Sequence, residues 1–250
     1  HTVYAQTDLT GFHVALEGDS QGSAIVLVPP TFDLSGDGVI VLNTATDTGC
    51  AATSGLCPGA PAVRNLTIRF QNTDTTLYAQ LISFPPGISC PLGCVDAVIE
   101  NVRISQAMTG IKGRTHVDHM NIRNVEISAF DYGIDLDGVD SELKISNYHY
   151  YPFEMTNNQG QIWPHHGIGL AVSSIYGVNV SNYIASNGYR TLKVHYSGTR
   201  AFCPYVNISG LQVDTYGGVD VTCGNVDISS GTWRTADFGG GNPEAYHFGN

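Results

Sequence analysis

A short strand signature that returns at one register constrains this chain more than any other feature. It reads Val63-Arg64-Asn65-Leu66-Thr67-Ile68, Ile99-Glu100-Asn101-Val102-Arg103-Ile104, Ile122-Arg123-Asn124-Val125-Glu126-Ile127 and Ile145-Ser146-Asn147-Tyr148-His149-Tyr150. It recurs as Val180-Ser181-Asn182-Tyr183, Ile208-Ser209-Gly210-Leu211 and Ile228-Ser229-Ser230-Gly231. With Asn65, Asn101, Asn124, Asn147, Asn182, Gly210 and Ser230 as anchors, successive gaps are 36, 23, 23, 35, 28 and 20 residues. A unit of roughly 20–23 residues therefore carries occasional insertions, the mark of a repeat architecture whose units bury their apolar faces on one another.

Around each anchor, positions −4, −2, +1 and +3 are mostly apolar while −3 and +2 are mostly polar, which predicts a strand with one buried face. A second extended run follows, introduced by glycine: Gly110-Ile111-Lys112-Gly113, Gly133-Ile134-Asp135-Leu136, Gly169-Leu170-Ala171-Val172 and Gly218-Val219-Asp220-Val221. Short strands, 29 glycines and no amphipathic helical window predict an all-β fold, a single-stranded right-handed parallel β-helix. The anchors imply about seven to eight coils. The expected organisation is an N-terminal cap or lead-in over 1–23, the β-helix over 24–235, and a tail over 236–250 that leads to a further module or cap.

Eleven Lys and Arg against 22 Asp and Glu give a net charge of −11, which argues against nucleic acid or an anionic membrane as partner. No run approaches the roughly 20 apolar residues of a membrane span. With only 13% charged residues, the polar surface is built from Asn, Ser, Thr, Tyr and Gly, and suits hydroxyl-rich ligands such as a cell-surface glycan. Six cysteines fall as Cys50 and Cys57, Cys90 and Cys94, and Cys203 and Cys223. The last two sit seven residues before their anchors, on neighbouring repeats, at a separation compatible with a disulfide; the other two pairs would close small loops. Three local pairs predict an oxidising setting, extracellular or on a virion surface, with reduced thiols as the alternative and zinc disfavoured by spacing.

Register arithmetic also places candidate chemistry. Asp131 lies seven residues after Asn124 and Glu154 seven after Asn147, so two carboxylates are expected on neighbouring repeats. Like charges that close split into an acid and a base, the division of labour that glycosidases use; solvated turn acids are the plainer alternative. Asp135 is held in reserve. Lys112 beside Asp135, Lys193 beside Asp220, and the column Arg103, Glu126 and His149 read as cross-strand ion pairs. His116, Asp118 and His119 read as polar surface, so no metal and no cofactor is expected. Two insertions, about 71–94 and 151–166, account for the longest gaps, and the second carries Tyr151, Glu154, Trp163, His165 and His166. Long loops on a rigid scaffold are where function concentrates.

The organisation over residues 24–235 resembles the pectin-lyase-like right-handed parallel β-helix superfamily, which includes polysaccharide lyases, polygalacturonase-type hydrolases and trimeric phage tailspikes. His165-His166-Gly167-Ile168-Gly169-Leu170, then Val178-Asn179-Val180-Ser181-Asn182 and Asn187-Gly188-Tyr189-Arg190-Thr191-Leu192-Lys193, are similar to the polygalacturonase run G-H-G-(I/L)-x-(I/L), V-x-(V/I)-x-N and N-G-x-R-I-K. The resemblance implies His166 as the motif histidine and Lys193 as a substrate-binding lysine, with Arg190 displaced by one residue. Phe130-Asp131-Tyr132 and Phe153-Glu154-Met155 stand where that family carries its catalytic acids. The leading expectation is a tailspike-like, homotrimeric β-helix that binds and depolymerises a polysaccharide. Asp131, Glu154 and Asp135 are then the catalytic candidates, His166, Lys193 and Arg190 the sugar contacts, and Trp163 and Tyr151 the stacking platforms. A non-catalytic structural or adhesive solenoid with filament neighbours is the alternative. A secreted hydrolase or lyase is the third, favoured if the sequons at Asn65, Asn179 and Asn207 carry glycans.

Overall fold

The computed structural model describes Thr2 and residues 5–9, 15–33, 35–42, 61–71, 84–114, 117–138, 142–152, 167–173, 177–186, 190–195, 203–215, 218–235 and 246–248. All regular structure among them is β-strand, and every described pairing is parallel. Seventeen strands join one sheet, and Cys94–Val95 with Val117–Asp118 form a second of two strands.

The repeats pair on one another in register. At position −2, Val63, Ile99, Ile122, Ile145, Val180, Ile208 and Ile228 are successive partners. In the glycine-led strands the same holds for Ile88, Ile111, Ile134, Leu170, Leu192, Val219 and Tyr246. Like side chains repeat at the inter-strand spacing of about 4.8 Å and exclude water from one another, each fully buried Ile or Leu contributing about 1.5–3 kcal/mol. Asn121–Asp137 pairs through residues 121–129 with Glu142–Pro152 and through Tyr132–Asp137 with Ile168–Ser173. The next repeat is thus split in two by the intervening residues 153–167 while its two halves each pair with the preceding repeat. This stacking is compatible with a parallel β-helix.

The anchors differ from the sequence expectation in one respect. Asn65, Asn101, Asn124, Asn147 and Asn182 are not mid-strand residues but left-handed bends, with φ between 50° and 56°. Residues three apart face opposite sides of an unbroken strand. The bend reverses the phase, so Ile122 and Val125, on either side of Asn124, are both buried. Asparagine tolerates this conformation better than other non-glycine residues, and Gly210 adopts it at the sixth anchor. Each amide donates to the carbonyl oxygen of the one before: Asn101 to Asn65 at 2.9 Å, Asn124 to Asn101 at 3.0 Å, Asn147 to Asn124 at 2.7 Å and Asn182 to Asn147 at 2.9 Å.

The middle of the core is aromatic. Tyr148 and Tyr183 stack with ring centroids 4.9 Å apart, and their hydroxyls donate to the carbonyls of Gly169 (2.7 Å) and Thr191 (2.6 Å). Tyr150 donates to Ala129. The glycines that open the second strands make room for these rings: a methyl group on Gly133 would fall on the Tyr148 hydroxyl, and one on Gly169 on that of Tyr183. Disulfides join Cys90 to Cys94 and Cys203 to Cys223, with Cα atoms 5.7 and 5.2 Å apart. Both pairings follow the sequence expectation and indicate an oxidising, extracellular setting; Cys50 and Cys57 lie outside the described residues. Among the described residues no helix is long and apolar enough to cross a membrane.

Two predictions follow from this core. Asn124→Ala should lower stability by about 2–3 kcal/mol in denaturant unfolding, since it removes both ladder bonds and forces alanine into the left-handed region; Asn124→Gly should cost less because it keeps the bend. Burial pushes the phenols of Tyr148, Tyr150 and Tyr183 upward from the usual 10. Protonated phenols therefore contribute stability that is fully present below about pH 10 and lost as pH rises past it. Ultraviolet titration should show tyrosines that ionise only together with loss of the β-sheet signal.

Candidate functional site

The glycine-led strands present one face with unusual chemistry. Their inward residues alternate with outward ones, so a column runs Ser89, Lys112, Asp135, Ala171, Lys193 and Asp220. Two residues further on, Asp137, Ser173 and His195 are successive partners. Lys112 with Asp135 and Lys193 with Asp220 are in-register partners, but the ion pair that Asp135 makes is with Arg114 and not the expected one with Lys112. Asp135 is 7% exposed, and its carboxylate takes a hydrogen bond from the Arg114 guanidinium at 2.5 Å. Ser173 is fully buried and donates to Asp137 in a short hydrogen bond. Ala171 and Thr191 are also fully buried. The middle of the face is thus recessed, with Lys193, His195 and Arg190 half-buried beside it.

Asp131 sits at the corner before this face, half-buried beside aromatic groups. Burial raises the phenols of Tyr150 and Tyr132, and the Asp131 charge raises both further. Pairing of 121–129 with 144–152 keeps one offset of 23 residues as far as Ala129 and Pro152. Beyond Ala129 the partner changes, and Tyr132 pairs with Ile168 on the far side of the insertion. Glu154, Trp163 and His166, like His116, lie outside the described residues. Tyr151 is half-buried, its hydroxyl donates to Glu126 at 3.1 Å and its ring lies 5.4 Å from that of His149.

Charge on the anchor strands knits repeats together. Arg103 grips Glu126 through Nε and Nη2 at 3.0 and 2.6 Å, as the column Arg103, Glu126 and His149 led one to expect. Arg123 donates to Glu100 at 2.7 Å, with Arg64 on the other side at 3.6 Å. The Arg123 hydrogen bond draws the Glu100 carboxyl below its ordinary range. His119 lies 3.7–3.8 Å from carboxylate oxygens of Asp118 and Asp96. Among the described residues no group of three His, Cys, Asp or Glu is placed to hold a metal.

Sequence reasoning missed a groove of about 510 Å³ on the strands that precede the anchors. One wall carries Asn121, Lys144, Asn179, Asn207 and Asp227, and the other Arg123, Ser146, Ser181, Ser209 and Ser229, over a floor of Ile145, Val180 and Ile208. Its origin is a change of side-chain length along one column: Arg64, Glu100 and Arg123 fill it with paired long chains, whereas the next four repeats supply serine. The signal was present as the residue before each anchor. Two sequons, at Asn179 and Asn207, are neighbours here; Asn65, the third, is tied into the ladder and donates to Glu17 at 3.2 Å.

Searches among protein-family models, curated proteins and solved structures find no match for the chain.

Arg114→Met should destabilise the protein by about 1–2 kcal/mol, since it strands the nearly buried Asp135 carboxylate while Arg114 itself still reaches solvent. Arg114→Met with Asp135→Leu should recover most of the loss, which thermal unfolding of the three proteins would measure.

Proposed function

We propose that the protein is an extracellular right-handed parallel β-helix of the pectin-lyase-like kind that binds a polysaccharide and cleaves it by hydrolysis. The observation that supports this reading is Asp131, half-buried at the corner before the charged face that carries Lys193 and Arg190; in the sequence Glu154 follows Asn147 by the same seven residues by which Asp131 follows Asn124. Neighbouring repeats stand about 4.8 Å apart. A carboxylate pair carried at the same position of neighbouring repeats would suit the about 5–5.5 Å separation of a retaining enzyme better than the about 6.5–9.5 Å of an inverting one.

In this reading Asp131, on the sheet, attacks the anomeric carbon while Glu154, on the insertion, protonates the departing glycosidic oxygen. Glu154 then takes a proton from water as its oxygen displaces Asp131, so the sugar is released with its anomeric configuration kept. Lys193 and Arg190 supply hydrogen-bond donors for sugar oxygens along the recessed row, and His166 and Trp163 belong to the same insertion as Glu154. Asp135 serves the scaffold through Arg114. Trimeric assembly, as in tailspikes, belongs to the same reading.

Reducing-end release from capsular, lipopolysaccharide and pectic polymers tests it. At least one polymer should be cleaved with retention, and Asp131→Asn or Glu154→Gln should lower the rate by about 10²–10⁴-fold. Full activity in both variants would remove the assignment. No release from any polymer by the folded protein would favour the structural solenoid.

A further inference from the structure

We infer that the serine- and asparagine-lined groove is a second, non-catalytic site that binds a neutral, hydroxyl-rich polysaccharide chain lying along the stack of repeats. The inference takes its ligand class from the polysaccharide reading, but the site shares no residue with Asp131, Glu154 or the charged face.

Its chemistry is uncharged along the middle, with the Asp227 carboxylate confined to one end. The two cations that line it are already matched, Arg123 by Glu100 at 2.7 Å and Lys144 by Glu142 at 3.1 Å. What remains in the middle is one hydroxyl and one amide per repeat: Ser181 with Asn179, and Ser209 with Asn207, with Ser146 and Ser229 continuing the hydroxyl row; the Asn207 amide donates to Asn179 at 3.3 Å and that of Asn179 to Glu142 at 3.4 Å, long bonds that leave each amide its second N–H. Amides and hydroxyls both donate and accept, as sugar hydroxyls do, so neither partner is left unmatched when water is displaced. The pattern repeats at about 4.8 Å, close to one hexose along an extended chain, so successive sugars meet equivalent partners. Branched or globular ligands do not share that period.

An aromatic platform stands at the rim. Tyr205 precedes Asn207 by two residues on the same outward face and is 44% exposed, one of two large hydrophobic side chains so exposed among the described residues. It comes one residue before Val206, which pairs with Val178, and Gly177 comes one residue before Val178; an added Cβ at Gly177 would meet nothing within 4 Å. A sugar ring can therefore lie against the Tyr205 ring above Gly177, with its edge turned to Asn179 and Asn207. Aromatic rings with a polar tip and open flank are the usual apolar contact for amphipathic ligands.

Affinity electrophoresis in native gels cast with dextran, galactomannan or mixed-linkage β-glucan, with polygalacturonate as the acidic contrast, tests the site. The protein carrying Asp131→Asn and Glu154→Gln should be retarded by at least one neutral polymer. Adding Tyr205→Ala, or Ser209→Arg to refill the column as Arg123 does, should weaken retardation about tenfold or more, with the circular dichroism spectrum unchanged. In the otherwise wild-type chain, the same two changes should leave cleavage of short oligosaccharides unaltered. Equal retardation of the added variants, or retardation by polygalacturonate alone, would overturn the inference and leave the hydrolase reading intact. No retardation by any polymer would overturn it as well, while reducing-end release would still decide the hydrolase reading separately.

Discussion

The left-handed bend at each asparagine anchor, and the amide ladder that ties the bends together, is the constraint on which the rest of the structure depends. A strand that ran straight through the anchor would turn Ile122 and Val125 to opposite faces. The bend brings both inside, and with them the stacks of position −2 and position +1. Because each amide both donates and accepts, the ladder penalises a slip of one residue twice, through lost hydrogen bonds and through a core turned outward. Glu17 closes it at one end, and the Ser230 hydroxyl, accepting from the Gly210 amide at 2.9 Å, continues it where the asparagines stop.

Fixed register makes this sheet a ruler for side chains. Each outward column samples one sequence position across many repeats, so a function needs only a change of residue type along a column. The Arg64, Glu100 and Arg123 column shows both outcomes: long ion-paired chains that brace the sheet, then serines that open a groove. The glycine-led strands show another, with Asp135 spent on Arg114 and the neighbouring positions carrying Lys193, Asp220 and His195. Insertions cost the scaffold little because they leave between pairings, as Pro152 and Gly167 illustrate on either side of the segment that carries Glu154.

Much of this was legible in the amino-acid sequence, for reasons that differ by element. The anchors, the glycine-led strands and the Cys90–Cys94 and Cys203–Cys223 pairs could be read because register and covalent reach are properties of spacing. The phase reversal was visible too, since apolar positions −2 and +1 are three apart; it was read as one continuous strand because a left-handed asparagine looks polar and nothing more. Arg114 as the partner of Asp135 was not visible, because alternation within the strand pointed to Lys112. The groove was missed because a row of serines becomes a concavity only when the height of its neighbours is known. The Glu126 carboxylate that receives the Tyr151 hydroxyl was likewise out of sight, because sequence showed only that Tyr151 opens an insertion.

Side-chain amide hydrogen exchange followed by NMR tests the central claim most directly. The ladder requires slowed exchange at the amides of Asn101, Asn124, Asn147 and Asn182, with scalar couplings across the hydrogen bonds from each amide to the preceding side-chain carbonyl. Exchange of all four at the rate of a free asparagine amide, without such couplings, would contradict it.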